Sequence, residues 1–137
     1  MEFARIVFGC AGVWGLLALT PLYFLCGFFG RVYPPTVTHP QFYYGFTGVG
    51  LAWQIAFLVI ASDPQRFRPV MLPSMFEKFS YTTALVVLFV QHRVETVQLI
   101  SGSLDGLLGI LFIAAFLKSR PQPAVARIAP RFADGLE

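Results

Sequence analysis

The chain has 137 residues, a length typical of a single domain. Hydrophobic residues make up 56% of it and charged residues only 12%, whereas roughly 25% of the residues in an ordinary soluble domain are charged. This composition excludes an ordinary soluble domain. The net charge of +3 is better explained by membrane topology than by nucleic-acid binding, for which the sequence offers no separate support.

Two long uncharged segments predict the first two membrane spans. Residues 6–29 and 42–61 contain no Asp, Glu, Lys or Arg. A helix needs about 20 apolar residues to cross about 30 Å of hydrocarbon, and both segments meet that length. The first segment is longer than the apolar region of a signal peptide and precedes no small-residue cleavage site, so we expect it to be retained.

The third and fourth spans carry charges. Residues 79–90 are uncharged but too few to cross, and extending the helix back to Pro73 gives a span over 73–90, since proline is tolerated in the first helical turn. Residues 97–117 form the fourth span, with Asp105 as its only charge. The short connection between them favours antiparallel neighbours. The sequence therefore predicts an all-α domain over residues 1–118, an integral membrane bundle of four antiparallel transmembrane helices.

Basic residues predict how the bundle is oriented. With four spans, both termini and the loop over 62–72 share one side of the membrane. That side holds Arg5, Arg66, Arg68, Lys118, Arg120, Arg127 and Arg131, and the opposite side holds only Arg31 and Arg93. The positive-inside rule then predicts a multi-pass protein of the bacterial inner membrane with cytoplasmic termini. Residues 119–137, with three prolines and scattered arginines, are expected to be a flexible cytoplasmic tail.

Three of the predicted spans carry a stripe of polar and small residues along one helix face. These stripes are Tyr43, Thr47, Gly50 and Gln54 in the second span, Glu77, Tyr81 and Ala84 in the third, and Gln98, Ser101, Gly102, Asp105 and Gly109 in the fourth. Small residues let helices approach closely and polar ones hydrogen-bond across the contact. The stripes therefore indicate either a packed bundle interior or a polar site inside it.

Asp105 is the residue that a packing role explains least well. A charge at its depth costs about 2.5–3.5 kcal/mol on insertion scales, whereas a hydrogen bond from a protonated carboxyl to a neighbouring helix contributes about 1 kcal/mol. Both a structural carboxyl and a role in ligand binding or proton handling stay open for Asp105 and for the shallower Glu77. We predict a polar intramembrane ligand site formed by Asp105, Gln54, Glu77, Tyr81 and Ser101.

Lys78 has two possible placements beside this site. Its long side chain can extend toward the headgroups or toward Asp105, and the sequence favours the headgroups because lysines near helix ends usually extend to the interface. Arg66 and Arg68 are expected to face lipid phosphates in the same way.

The sequence predicts no metal site and no cofactor. His39 and His92 are the only histidines, and with Glu95 they lie on the outer side without the spacing of a metal-binding motif. No glycine motif for a nucleotide is present.

Three segments carry a resemblance to known proteins: "THPQFYYGFTGVGLAWQ" over 38–54, "ASDPQRFRPVMLPSMFEKFS" over 61–80 and "SLDGLLGILF" over 103–112. Together they resemble small bacterial inner-membrane proteins with four transmembrane helices, which implies the fold and the location but no activity. A fainter similarity, carried by the Asp63-Pro64 dipeptide, the proline-rich loop and Glu77, is to the sterol-isomerase and sigma-two-receptor group. That similarity is an analogy at the level of fold.

Three functions are compatible with these features. The first is a non-enzymatic membrane protein whose bundle binds a lipid or a hydrophobic small molecule at the polar site. The second is an accessory or scaffold subunit that packs its glycine faces against further copies or other membrane proteins. The third, an enzyme acting on a lipid-like substrate with Asp105 or Glu77 as general acid or base, is the least favoured, because the sequence shows no nucleophile–base pair or cofactor motif.

Overall fold

The computed structural model describes residues 2–32 and 38–120, whose helices are joined by short turns, with no β-strand among them. The prediction of an all-α protein is thus confirmed for these residues. The helices are α1 (Glu2–Leu19), α2 (Leu22–Val32), α3 (Pro40–Ser62), α4 (Met71–Val90) and α5 (Thr96–Lys118), and a short 3-10 turn over Arg68–Val70 leads into α4. The predicted flexible tail lies outside the described residues beyond Arg120.

The first apolar segment is interrupted where a single helix over 6–29 was predicted. Helix α1 ends at Leu19 and α2 begins at Leu22, because Pro21 lacks the N–H that would continue the ladder and its ring clashes with the carbonyl four residues earlier. The Thr20 N–H donates to Leu16 O at 3.0 Å, and the Phe24 N–H donates to Pro21 O at 3.0 Å. The first of these hydrogen bonds closes the last turn of α1, and the second closes the first turn of α2.

Three segments are long and apolar enough to cross a membrane: Glu2–Phe28, Pro40–Ser62 and Thr96–Lys118. Large apolar side chains such as Phe24, Phe42 and Phe76 are 85%, 73% and 76% exposed. Exposed apolar surface on this scale suits lipid rather than water. These features indicate an integral membrane protein.

Helices α1 and α3 pack as an antiparallel pair along glycines of α1. Gly9 lies against Ala61, Gly12 against Leu58 and Gly15 against Gln54, so α3 runs backward as α1 runs forward. The absence of a side chain on these glycines lets the two helix backbones approach closely.

Helices α4 and α5 form the second antiparallel pair. Gly102 lies against Leu85, Gly106 against Thr82 and Gly109 against Phe79. The Thr82 hydroxyl oxygen is 2.9 Å from the carbonyl oxygen of Lys78 on its own helix and 3.0 Å from that of Gly102 on α5. Its proton therefore ties the two helices together where the glycines bring them closest.

A buried aromatic core joins the two pairs at one end. Phe8 of α1 stacks on Phe112 of α5 with ring centroids 4.1 Å apart, and Phe57 of α3 meets Phe112 edge-on at 5.0 Å. All three rings are fully buried. Helices α3 and α4 contact each other at few points, so the pairs are held together through this core and leave space between them elsewhere.

Lys118 and Arg68 lie at the same end of the molecule as this core. The Lys118 ammonium lies 4.4 Å from the Phe3 ring centroid, which places the start of α1 beside the end of α5. Arg68 was expected to face lipid phosphates, but its guanidinium lies 3.6 Å over the ring of Phe116 and donates to the Phe116 carbonyl oxygen at 3.3 Å. It therefore ties the α3–α4 connection to the end of α5.

Candidate functional site

A cleft of about 710 Å³ lies between the two helix pairs. Its walls come from helices α1, α3, α4 and α5, with Leu22 contributed by α2. On α3 the lining residues recur with helical spacing, as Phe46, Val49, Gly50, Trp53 and Gln54, so one complete face of the helix borders the space. The volume lies within the roughly 300–1,000 Å³ typical of small-molecule sites.

All five residues predicted for the polar site line this cleft. They are Asp105, Gln54, Glu77, Tyr81 and Ser101. The structure thus brings together residues from three helices that the sequence connects only through their stripes. Their surroundings differ, and the differences decide what each can contribute.

The centre of the polar site is a charged triad of Glu77, Lys78 and Asp105. The Lys78 Nζ atom lies 3.1 Å from Asp105 Oδ1 and 3.2 Å from Glu77 Oε2. The lysine side chain is 6% exposed, against 24% for Glu77 and 23% for Asp105. The expectation that Lys78 extends to the headgroups is therefore wrong, because its ammonium is buried between two carboxylates.

Helix register explains why the lysine turns inward. The α4–α5 glycine contacts place Asp105 opposite residue 83 of α4, which is five residues, or about 7.5 Å along the axis, beyond Lys78. The four-carbon side chain of lysine can span that distance. The ammonium also lies 5.4 Å from the Phe57 ring centroid, so a ring of the aromatic core adds a cation–π attraction.

The triad carries more negative than positive charge. With all three groups ionised its formal charge is −1, and no other charged residue is among the described residues that line the cleft. The Glu77 Oε2 atom is buried and accepts no hydrogen bond from the described residues, although it lies within ion-pair distance of Lys78. One acceptor of the triad is thus left without a donor in suitable geometry.

Gln54 forms a wall of the cleft. It is 4% exposed, its Nε2 atom donates to Gly50 O at 3.1 Å, and its amide packs in the space left by Gly15. The other polar residues of its stripe hold the fold: the Thr47 hydroxyl donates to Tyr43 O at 2.9 Å, and the Tyr43 hydroxyl donates to Leu22 O at 2.8 Å. The Tyr43 bond fastens α3 to the start of α2.

Tyr81 and Ser101 border the more open part of the cleft. The Tyr81 ring lies 6.5 Å from the Phe46 ring across the space between α4 and α3. The Ser101 hydroxyl donates to Gln98 O at 2.7 Å, and the residue is exposed. Both side chains can therefore be reached from the cleft.

The aromatic walls of the cleft are not among the residues predicted from the sequence. Trp14, Phe46 and Trp53 line the cleft, yet bulky aromatic residues are so common in membrane helices that none stood out. A usable signal was present, because Phe46, Gly50 and Trp53 continue the helical spacing of the Gln54 stripe.

Two of the residues considered for a metal, Glu95 and His39, lie at the starts of helices. The Glu95 side chain accepts a hydrogen bond from the Gln98 N–H and its own N–H donates to the Gln98 side chain, which caps the start of α5. His39 immediately precedes α3. Within residues 2–32 and 38–120, no three His, Cys, Asp or Glu side chains are grouped closely enough to hold a metal ion.

The cleft and its charged triad are the features from which a function has to be argued. Comparison of the chain with protein-family models, with curated proteins and with solved structures finds no significant match.

Proposed function

We propose that the protein is a four-span inner-membrane protein, without enzymatic activity, whose helix bundle binds a lipid or a hydrophobic small molecule in the cleft. The observation that supports this best is the combination of a cleft of about 710 Å³, walled by apolar and aromatic side chains, with the charged triad. Few polar groups in a mostly apolar concave site are the usual arrangement for binding a small molecule. The chain of an amphiphile would lie along the apolar walls and its head group against the triad.

The burial of the triad supports α4 as a membrane span in addition to the three apolar segments. Helix α4 has 20 residues, about 30 Å of helix, but is less apolar than the other three segments because of Glu77, Lys78 and its hydroxyl side chains. Lys78 is 5% exposed and pairs with both carboxylates, while large apolar residues such as Phe76 and Val90 lie on the outside. A helix whose charged side chains face the interior of the bundle and form ion pairs there is compatible with a lipid environment.

The topology can be tested with reporter fusions. Because most of the basic residues lie at the end where α1 begins and α5 ends, we expect this end to be cytoplasmic. An alkaline phosphatase domain, which is active only in the periplasm, should be inactive when fused after residue 137 and active when inserted between residues 91 and 96. Activity at the C-terminus would contradict the orientation, and activity at both positions would contradict four spans.

The two serines of the cleft favour binding over catalysis. The Ser80 hydroxyl donates to Glu77 O at 3.0 Å and the Ser101 hydroxyl donates to Gln98 O at 2.7 Å. Each is held by a carbonyl of its own helix rather than by a base, whereas a nucleophile needs a base within hydrogen-bond reach. The two carboxylates of the cleft are engaged by Lys78.

Fluorescence quenching can test the binding proposal. The chain has two tryptophans, and both Trp14 and Trp53 line the cleft. Trp14 is 63% exposed and would meet surrounding lipid directly, so Trp14→Phe leaves the half-buried Trp53 as the only reporter. In detergent micelles, a brominated dodecanol should quench Trp53 saturably, and unbrominated dodecanol should reverse the quenching.

A cleft-filling variant supplies the control. Ala84 lines the cleft, and Ala84→Phe places a ring in the space proposed for the ligand without altering any charge. This variant should retain the helical circular dichroism spectrum and lose the saturable component of quenching. Quenching that rises linearly in both proteins, as expected from random collisions in the micelle, would refute the binding proposal.

A further inference from the structure

The charge of the cleft indicates which class of amphiphile it selects. We propose that the ligand is an amphiphile with a cationic ammonium head group, which binds against Asp105 and Glu77 while its hydrocarbon chain lies along the apolar walls. This inference rests on the proposed binding function and adds the chemistry of the head group.

The excess of carboxylates over ammonium groups in the triad is the first observation that supports a cationic head group. Two carboxylates share one ammonium, so with all three groups ionised the triad has a formal charge of −1 in a space walled by apolar side chains. In such surroundings a charge attracts an opposite charge more strongly than it would in water. A ligand ammonium brings the cluster of four groups to neutrality.

The relative exposure of the three side chains points the same way. Asp105 and Glu77 are 23% and 24% exposed, whereas Lys78 is 6% exposed and contacts the Phe57 ring of the core. A head group in the cleft therefore meets carboxylate oxygens before it meets the ammonium. An anionic head group would have to displace a carboxylate from Lys78 and then remain beside it.

The acceptor capacity of the triad also fits an ammonium donor. Lys78 donates to Asp105 Oδ1 at 3.1 Å and to Glu77 Oε1 at 3.4 Å, and each carboxylate oxygen can accept more than one hydrogen bond. A primary ammonium carries three donors. Such a head group can donate to the exposed parts of the two carboxylates, in addition to the hydrogen bonds that Lys78 makes.

Aromatic side chains in the lining of the cleft add a second source of attraction. Trp53, Tyr81 and Phe46 line the same cleft as the carboxylates. The faces of aromatic rings attract cations and not anions, and tryptophan does so most strongly. The lining of the cleft thus discriminates by charge through both its carboxylates and its rings.

Three probes of equal chain length test this inference: brominated dodecylamine, dodecanol and dodecanoate. The readout is the concentration that half-saturates the quenching of Trp53 in the Trp14→Phe protein, in micelles of a nonionic detergent. We expect the amine to bind about tenfold more tightly than the alcohol, a factor equivalent to about 1.4 kcal/mol, and the carboxylate to bind more weakly than the alcohol. Equal affinities for amine and alcohol, or preference for dodecanoate, would overturn the proposal.

Substitutions then identify the groups responsible. Asp105→Asn removes the excess charge and should abolish the tenfold preference for the amine over the alcohol, with both affinities measured in the same variant. Asp63→Asn is the matched control, because Asp63 lies in the α3–α4 connection outside the cleft, and it should keep the preference. If Asp105→Asn fails to fold, Glu77→Gln makes the same change in charge. An unchanged preference in a folded Asp105→Asn or Glu77→Gln protein would refute the assignment.

The outcomes separate the two proposals. One outcome is that the alcohol binds saturably and Ala84→Phe abolishes this binding, but no probe is preferred. The cleft then binds ligands, and the inference about charge is wrong. If none of the three probes binds saturably, the proposed function itself fails.

Discussion

Replacing Lys78 by methionine is expected to destabilise the protein more than any other single change of charge in the chain. Methionine keeps most of the apolar length of the side chain but leaves Asp105 and Glu77 close together without the ammonium that holds them. Removing one partner from a buried ion pair costs about 3–5 kcal/mol, and because the carboxylates are partly exposed to the cleft we expect about 3 kcal/mol. The loss should appear in the free energy of unfolding, measured by helical circular dichroism in mixed micelles.

Two further proteins make the origin of that loss clear. Lys118→Met removes an exposed ammonium that rests over Phe3, and should cost at most about 1 kcal/mol. The triple variant Glu77→Gln, Lys78→Met, Asp105→Asn leaves no unpaired charge and should recover most of the stability. If Lys78→Met is no less stable than Lys118→Met, the triad does not contribute to holding α4 against α5.

The second large effect is expected at Gly12, where α1 approaches α3 most closely through backbone atoms. A Cβ atom at this position would lie 2.8 Å from the Leu58 side chain and 2.9 Å from the carbonyl oxygen of Gln54. The leucine can move, but the backbone carbonyl cannot move without shifting α3. Gly12→Val should therefore lower the free energy of unfolding by about 1–3 kcal/mol, the usual range for overpacking.

Gly45→Val is the matched control for this prediction. Gly45 is also a glycine within a helix, yet a Cβ atom placed there meets nothing within 4 Å. The two substitutions add the same side chain with the same helix propensity, so the difference between them measures the α1–α3 contact alone. Equal stability of the two variants in the same unfolding experiment would contradict the close packing of α1 on α3.

The helical character of the protein could be predicted from the sequence because a membrane imposes simple requirements. Uncharged segments of about 20 residues have few alternatives to a helix in lipid, since every backbone group must be satisfied internally. The break at Pro21 was also within reach, because proline interrupts the helical ladder wherever it occurs after the first turn. The break leaves the segment just as apolar, so the count of uncharged residues alone predicts one continuous helix.

The candidate site could be predicted only in part. The sequence shows on which face of its helix a residue lies, but not which residues of other helices it contacts. The stripes placed Asp105, Gln54 and Glu77 on faces that turn inward, and the structure places all of them along the cleft. The placement of Lys78 depends on the register between α4 and α5, which the glycine contacts determine and no spacing within one helix reveals. Lysines near helix ends usually extend to the headgroups, and this general tendency led to the wrong prediction for Lys78. The register between α4 and α5 instead brings it within reach of Asp105.

The cleft itself follows from which helices pair. Helix α1 packs on α3 and α4 packs on α5, while α3 and α4 make few contacts although they are neighbours in sequence. No pattern within a single helix predicts that choice, because the small residues of α1 and α5 are equally compatible with several partners. The space lined by Trp53 and Tyr81 exists because the two pairs meet mainly at the aromatic core.

Native mass spectrometry tests the central claim, that the cleft holds a small molecule, most directly. The wild-type protein and Ala84→Phe would be extracted from the same host membranes in mild detergent and examined under identical conditions. The wild type should carry a bound molecule of constant mass that remains at activation energies sufficient to strip surrounding lipid, and Ala84→Phe should appear at the mass of the bare polypeptide. A wild-type spectrum with only the bare polypeptide, or identical adducts on both proteins, would contradict the proposal.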